Sequence, residues 1–190
     1  ADYGGHPALG NHIIRSLTGD GFDVSALKQF PARHPTIPHA FGFVYRQIMN
    51  DRPIPSVPLF TNTFYPPNQP PAARCREFGR AVLRAVQAWP GSERVALISS
   101  GGLSHFVIDE KLDGVVFDAL RSGDAAALDA IGEEMYQSGS SEIKNWIPLA
   151  GAMAELGWPA TLVDYVPCYR SEAGTGNAMG FAYWEPERNR

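Results

Sequence analysis

The segment between Val95 and His105 constrains the fold and function of this chain more than any other stretch. Residues 95–100 are mostly apolar and predict a short buried strand. Gly101 and Gly102 interrupt that strand, and His105 follows within five residues of its end. Ligands of open α/β sheets collect beyond the carboxyl ends of the strands. Because an imidazole can accept or donate a proton near neutral pH, this strand end is where we expect a functional site.

The order of apolar segments along the chain predicts an α/β fold. Strands that alternate with helices favour a central mixed, partly parallel sheet flanked by helices. Strands are expected at residues 56–64, 95–100, 161–166 and 179–184, with an irregular loop at 167–176. Helices are expected at residues 7–18, 39–49, 70–89, 111–121, 124–137 and 142–156. The chain has 190 residues, no repeats and no linker, so we expect residues 1–190 to form a single domain.

Composition and charge exclude several classes of function. Apolar residues make up 44% of the chain, which is enough for a core, and the net charge of −4 argues against a nucleic-acid partner. No apolar run approaches the roughly 20 residues of a membrane span. The N-terminus lacks the basic and apolar regions of a signal peptide, so we expect a cytoplasmic protein. Cys75 and Cys168 have no CxxC spacing, which predicts two buried free thiols.

Glu142 is the carboxylate with the clearest functional interpretation. It follows Ser140 and Ser141 in the first turn of a predicted helix, where backbone N–H groups and the helix dipole favour its ionised form. An ionised carboxylate is a suitable ligand for a divalent metal ion. The alternative is purely structural, because glutamate is favoured in the first turn of any helix.

The histidines have open alternatives. His105 is either a group that transfers protons or a loop histidine hydrogen-bonded to the backbone. His34 lies in a proline-rich loop, where local hydrogen bonding would explain it. His6 and His12 are on roughly opposite faces of a predicted helix, so they cannot bind one ion from that helix. A serine hydrolase that uses Ser104 and His105 is disfavoured, because adjacent side chains rarely converge and no GxSxG motif exists.

The motifs, taken in order, resemble the class III extradiol ring-cleavage dioxygenases, in particular the branch that acts on protocatechuate and gallate. The strongest matches are Gly-Gly-Leu-Ser-His, which ends at His105, and Ser-Gly-Ser-Ser-Glu-Ile-Lys-Asn-Trp around Glu142. Residues 5–12, His34 and residues 174–179 also match the family. The resemblance extends over nearly the whole chain in the same order.

This resemblance implies a reaction, a cofactor and roles for three residues. Enzymes of the family open a catechol ring beside its two hydroxyls at ferrous iron, which is held by two histidines and one glutamate. Glu142 is the implied carboxylate ligand of Fe(II), His105 the implied acid–base residue, and His34 an implied second-sphere group near the substrate. The implied reactants are dioxygen and a catechol-type aromatic acid similar to protocatechuate or gallate.

A loop near the C-terminus is expected to bind the acidic group of that substrate. Tyr169 and Arg170 would hold a carboxylate, since arginine favours bidentate pairing, although a plain surface loop is an equal alternative. The family often places a small hydroxyl residue in its last loop to contact the substrate. The best local match here is Ala173, so Ser171 or Thr175 is expected to take that role.

The two iron-ligating histidines of the family lie on an N-terminal portion that has no counterpart in this sequence. The resemblance therefore implies an N-terminally incomplete domain, the later part of a larger catalytic domain, whose remaining iron ligands come from a segment not in this chain. Either the chain is a fragment, or another polypeptide supplies the ligands, or the protein has lost the reaction. The expected assembly is a homo-oligomer, or an association with the missing segment or another subunit. The alternative function is a metal-free module on the same fold that binds aromatic ligands or a protein partner.

Overall fold

The computed structural model of the chain describes residues 3–29, 36–52 and 54–186. The α-helices are α1 (Pro7–Gly19), α2 (His39–Phe43), α3 (Ala72–Gln87), α4 (Glu110–Ser122) and α5 (Trp146–Leu156). A π-helical segment follows α2 at Val44–Ile48, and 3₁₀ segments lie at Ala125–Ala130, Glu133–Tyr136 and Ser138–Asn145. The strands are β1 (His105–Val107), β2 (Ala160–Tyr169) and β3 (Thr175–Trp184). None of the helices in these ranges has the length and apolarity needed to cross a membrane.

The chain forms two compact units. The first contains residues 1–60 and 81–96, and the second contains residues 61–80 and 97–190. Their boundary falls within α3, so each unit contains part of that helix. The expectation of one domain over residues 1–190 stays a prediction.

Helix α1 of the first unit forms where the sequence predicts it. It begins at Pro7, and the preceding His6 caps it, because His6 Nδ1 accepts a hydrogen bond from the Leu9 amide at 3.1 Å. The apolar stripe is buried at Leu9, Ile13 and Leu17. His12 Nε2 donates to the Ala85 carbonyl at 2.8 Å. His6 therefore makes a local capping hydrogen bond, and His12 a long-range structural one.

The core of the second unit lies between α4, α5 and the sheet. Asp109 caps α4 by accepting from the Lys111 and Leu112 amides, and Gly123 ends the helix at φ +72°. The buried stripe of α4 packs with residues from α5 and β3. The main buried apolar side chains are Leu103, Leu112, Val116, Phe117, Leu120, Leu128, Tyr136, Ile143, Ile147 and Ala178.

The sheet has three strands in the order β1-β3-β2, and both pairings are antiparallel. The α/β class is confirmed, whereas the sheet is antiparallel where a partly parallel one was expected. The reason is the connection between β2 and β3, because a turn of five residues joins only antiparallel neighbours. β1 brings His105 opposite Asn177 in β3.

Four predicted segments differ from the structure. Residues 56–64 and 95–100 join no strand of the described sheet, although Ser56 makes an isolated bridge with Gly5. Val95 and Ile98 are 37% and 51% exposed, so this segment is not the buried strand that its composition predicts. High strand propensity is not sufficient without a neighbouring strand to supply hydrogen bonds. The helix expected at 124–137 is two 3₁₀ segments, separated where Ile131 is extended. The loop expected at 167–176 is mostly strand, since Pro167 is tolerated on the edge strand β2.

The two thiols differ in accessibility. Cys75 is buried, and this burial raises the pKa of its thiol to about 11, whereas Cys168 is exposed on β2. The prediction that both thiols are buried is wrong for Cys168, because it lies opposite the exposed Asn177 on the solvent side of the sheet.

We expect a chromogenic thiol reagent at about pH 8 to modify one thiol in the native chain and both after denaturation. Cys168→Ser should abolish the native reaction, and two fast thiols in the native protein would contradict the structure.

Candidate active site

His105 and Glu142 lie side by side in the second unit. The Nε2 atom of His105 is 3.7 Å from Oε2 of Glu142, although 37 residues separate them in the chain. Their side chains are 14% and 32% exposed, so a small molecule can reach a pair that is partly shielded from water. The structure thus brings together the two residues for which the sequence analysis gave the strongest chemical roles.

Backbone contacts determine the tautomer of His105. Its Nδ1 atom lies 2.7 Å from the carbonyl oxygen of Leu103. Because a carbonyl oxygen can only accept, Nδ1 carries the proton, and Nε2 of the neutral ring has a free lone pair. The main-chain N–H of His105 also donates to Ser140 Oγ at 3.1 Å, which connects β1 to the segment that carries Glu142. The backbone hydrogen bond of His105 and a role in proton transfer are therefore compatible, since they use different ring nitrogens.

Glu142 is anchored through one of its two carboxylate oxygens. It lies in the 3₁₀ segment Ser138–Asn145, which runs directly into α5, so the turn that carries it is 3₁₀ where an α-helical start was expected. Oε2 accepts a hydrogen bond from the Gly102 amide at 2.7 Å. No described residue donates to Oε1. One oxygen thus holds the side chain in place, and the other has no donor in the part of the chain that the structure describes.

Three glycines allow the close approach of His105 and Glu142. A Cβ at Gly102 would overlap the His105 ring, and one at Gly139 would overlap the Cβ of His105. A Cβ at Gly101 would lie 2.8 Å from the Glu142 carbonyl oxygen. The consecutive glycines of the motif are therefore a steric requirement of the site, and Gly139 is a further one that the sequence analysis did not single out.

Hydrogen bonds to residues at the start of α5 hold the segment that contains Gly101 and Gly102, which is paired with no strand of the described sheet. Trp146 Nε1 donates to the carbonyl oxygens of Gly101 at 3.0 Å and Gly102 at 3.2 Å. The Ser99 hydroxyl donates to the Asn145 carbonyl. Residues 99–102 are therefore held by these hydrogen bonds instead of by pairing with a neighbouring strand.

A buried carboxylate, Asp113 of α4, lies next to the residue that precedes His105. It is fully buried and accepts hydrogen bonds from the Ser104 amide at 2.9 Å, the Ser104 hydroxyl at 2.7 Å and the Tyr165 hydroxyl at 2.8 Å. Burial, and secondarily Asp113, raise the pKa of Tyr165. Because the Ser104 hydroxyl donates to Asp113, a hydrolase pair of Ser104 with His105 is not formed.

The sequence analysis missed Asp113, although a signal was present. It shares the buried face of α4 with Val116, Phe117 and Leu120, at helical spacings of three, four and seven residues. A carboxylate at a core position of an amphipathic helix requires buried donors, so its location alone could have identified it.

A second buried charge anchors the segment that carries Glu142. Lys144 is 1% exposed, and its Nζ donates to Glu133 Oε2 at 2.5 Å and to the Pro70 carbonyl at 2.9 Å. The other oxygen of Glu133 accepts from the Ala72 amide at the start of α3, at 2.7 Å. Lys144 therefore ties the 3₁₀ segment to the N-terminal end of α3.

The expected substrate-binding residues lie together at the turn between β2 and β3. Tyr169 donates to Glu110 Oε1 at 2.5 Å, and the hydroxyls of Ser171 and Thr175 share a hydrogen bond of 2.7 Å. The Arg170 guanidinium has no partner among the described residues. Tyr169, Arg170 and Ser171 line an open concavity together with Glu172 and Gly174. Neither these three residues nor Thr175 is hydrogen-bonded to His105 or Glu142 in the described part of the chain. Their predicted contact with a substrate stays a prediction.

The described residues do not contain the complete iron site that the family resemblance implies. His34 falls outside the described residues. Within the described ranges, no group of three or more histidine, cysteine, aspartate or glutamate side chains is arranged to hold a metal ion. A site of two histidines and one carboxylate needs more than one free carboxylate oxygen and one imidazole nitrogen. The donors in these ranges therefore do not fit ferrous iron by themselves.

Comparison with known proteins gives the family. The family described as the catalytic LigB subunit of aromatic ring-opening dioxygenase matches residues 1–176, so the chain belongs to it. The chain is also similar to a gallate dioxygenase of Pseudomonas putida, with 34% identity over 111 residues that cover 57% of this chain and 31% of that protein. The chain thus spans about a third of the length of that curated relative. The resemblance inferred from the ordered motifs is confirmed.

Proposed function

We propose that this chain carries the acid–base residue and the carboxylate ligand of an extradiol ring-cleaving dioxygenase that acts on a catechol-type aromatic acid. The observation that carries the proposal is the distance of 3.7 Å between His105 Nε2 and Glu142 Oε2. The family and the gallate dioxygenase relative support aromatic ring opening as the reaction class. A protocatechuate- or gallate-like acid is the proposed substrate, and dioxygen is the second reactant.

His105 is proposed to move the substrate proton. Its Nε2 lone pair accepts the proton of a catechol hydroxyl, while Nδ1 stays bound to the Leu103 carbonyl. The imidazolium that forms is stabilised by that carbonyl and by the neighbouring carboxylate of Glu142. The same proton then returns from Nε2 to an oxygen of the substrate as the ring opens.

Glu142 is proposed to bind Fe(II) through its free Oε1, with the remaining ligands from a segment outside this chain. Bound iron would activate dioxygen and make the catechol hydroxyls more acidic. His34 is proposed as the second-sphere group near the substrate. Arg170, whose guanidinium lacks a partner among the described residues, is proposed to pair with the substrate carboxylate. Tyr169 and Ser171 line the same concavity, Thr175 is hydrogen-bonded to Ser171, and all three are proposed to contact the substrate. The proposed assembly joins this chain to the polypeptide that carries the missing ligands.

A second candidate function follows from the incomplete donor set. Among the described residues no group of three metal ligands exists, which favours a module that binds an aromatic acid without iron. That module would use the same partly shielded pair, with Glu142 and His105 as hydrogen-bond partners of the catechol hydroxyls.

Glu142→Gln separates the two candidates. The iron affinity is measured by anaerobic equilibrium dialysis of the chain assembled with the polypeptide that carries the remaining ligands. We expect the variant in that assembly to lose affinity for ferrous iron by at least about tenfold relative to the unchanged chain, because the anionic ligand is removed. Glu134→Gln is the matched control, since Glu134 is an exposed glutamate with no contact to the pair. Equal iron affinity in all three proteins would refute the ligand assignment. Binding of protocatechuate without any iron binding or oxygen uptake would favour the metal-free module.

A further inference from the structure

We propose that Asp113 is a positioning residue that holds His105 in the Nδ1–H tautomer by orienting the peptide group between Leu103 and Ser104. The proposal rests on the proposed function for its chemical purpose, because proton acceptance at Nε2 requires that tautomer. The tautomer itself is a property of the protein without substrate. The tautomer can therefore be measured whether or not the chain catalyses ring opening.

The central contact is a single peptide group with a partner at each end. Its N–H, which belongs to Ser104, donates to Asp113 Oδ1 at 2.9 Å. Its C=O, which belongs to Leu103, accepts from His105 Nδ1 at 2.7 Å. The group is trans, so N–H and C=O point in opposite directions within one plane. Fixing the N–H on Asp113 therefore also directs the C=O towards the imidazole.

The rest of Ser104 is held equally firmly. Its hydroxyl donates to Asp113 Oδ2 at 2.7 Å and accepts from the Asp109 amide at 2.8 Å. Its carbonyl accepts from the Ala178 amide at 2.8 Å, and the Leu103 amide donates to the Ala178 carbonyl at 3.0 Å. Every polar atom of Ser104 is thus bound, so the peptide group has little freedom to rotate.

The burial of Asp113 explains why this contact is strong. Asp113 is 0% exposed, and an amide that donates to a buried carboxylate makes a charge-assisted hydrogen bond. Such a bond polarises the peptide group and makes its carbonyl oxygen a better acceptor for Nδ1–H. The carboxylate therefore acts on His105 through the peptide group, without direct contact with the imidazole.

The tautomer of His105 in the intact chain is the first measurement. Nitrogen-15 chemical shifts of the imidazole, recorded at about pH 8.5 where an ordinary imidazole is neutral, distinguish Nδ1–H from Nε2–H. We expect the Nδ1–H form to exceed the other at least about tenfold. A dominant Nε2–H form would overturn the proposal without any variant.

The second measurement compares Asp113→Asn with Tyr165→Phe. Asparagine replaces the charge-assisted hydrogen bond to the Ser104 amide by a neutral one, so we expect the tautomer ratio to fall several-fold towards Nε2–H. Tyr165→Phe is the matched control, because it also removes one hydrogen bond to Asp113 but leaves the peptide contact intact. Its ratio should stay at the value of the unchanged chain. An unchanged ratio in Asp113→Asn, or an equal fall in both variants, would show a merely structural role for Asp113.

Turnover gives a separate readout. In the iron-loaded enzyme, Asp113→Asn is expected to lower kcat about tenfold with little change in KM, since the substrate still binds but its proton has a poorer acceptor. If the unchanged protein cleaves no catechol even when it is assembled with the polypeptide that carries the remaining iron ligands, the proposed function fails, while the tautomer measurements still decide the role of Asp113. A shifted tautomer ratio with unchanged kcat in an active enzyme would overturn the link to catalysis.

Discussion

His105→Phe is expected to lower the kcat for ring opening by about 10²–10⁴-fold while iron stays bound. The size follows from the usual contribution of a positioned acid–base group. Phenylalanine can fill the space beside Gly102 and Gly139 but offers no lone pair where Nε2 lies, 3.7 Å from Glu142 Oε2. The measurement uses the chain assembled with the polypeptide that carries the remaining iron ligands. It records oxygen uptake with protocatechuate or gallate at saturating iron, together with the iron content of the purified assembly.

His39→Phe is the control for this substitution. His39 is an exposed residue at the start of α2 and belongs to the other compact unit. We expect it to keep its kcat and iron content. Unchanged turnover in His105→Phe would remove the acid–base role, and loss of iron together with activity would indicate that His105 is a ligand instead.

Gly79→Ala is expected to lower the free energy of unfolding by about 3 kcal/mol, near the upper end for an overpacked site. Helices α3 and α5 approach closely here, and a Cβ at Gly79 would overlap the backbone carbonyl of Pro148. A backbone group cannot rotate away as a side chain does, so α5 must shift as a whole. Gly151 makes the reciprocal approach, since its Cβ would lie 2.7 Å from the Arg76 carbonyl oxygen.

Gly114→Ala is the matched control, measured in the same urea unfolding experiments. Gly114 lies within α4, and no atom is within 4 Å of a Cβ built there. Alanine is the better helix former, so this variant should gain up to about 1 kcal/mol. Equal stabilities for the two variants would contradict the close crossing of α3 and α5.

The structure confirms the parts of the fold that depend on local sequence signals. Helix α1 begins at Pro7 as predicted, and the helix expected at residues 111–121 is α4, which runs from Glu110 to Ser122 between the Asp109 cap and the left-handed Gly123. The ordered motifs likewise identified the family that the comparison confirms. These signals act over a few residues, so they can be recognised without a tertiary structure.

Pairing partners could not be predicted in the same way. Residues 95–100 have the composition of a buried strand, but Ile98 is half exposed, because no described strand lies beside it. Conversely, the sequence predicts a loop at Pro167 and Thr175, but both residues lie in paired strands. A strand needs hydrogen bonds from a neighbour that is distant in sequence, and composition does not contain that information.

The sequence by itself determined the positions of α1 and α4, the family, and the two side chains with the clearest chemical roles, His105 and Glu142. Only the tertiary structure decided that Nε2 of His105 lies 3.7 Å from Glu142 Oε2 and that Nδ1 is hydrogen-bonded to the Leu103 carbonyl. It also decided that Asp113 accepts a hydrogen bond from the N–H of the same peptide group, between Leu103 and Ser104. The physical reason is that capping and helical periodicity are set by neighbours along the chain. A ring tautomer is instead set by hydrogen bonds from residues that only folding brings together.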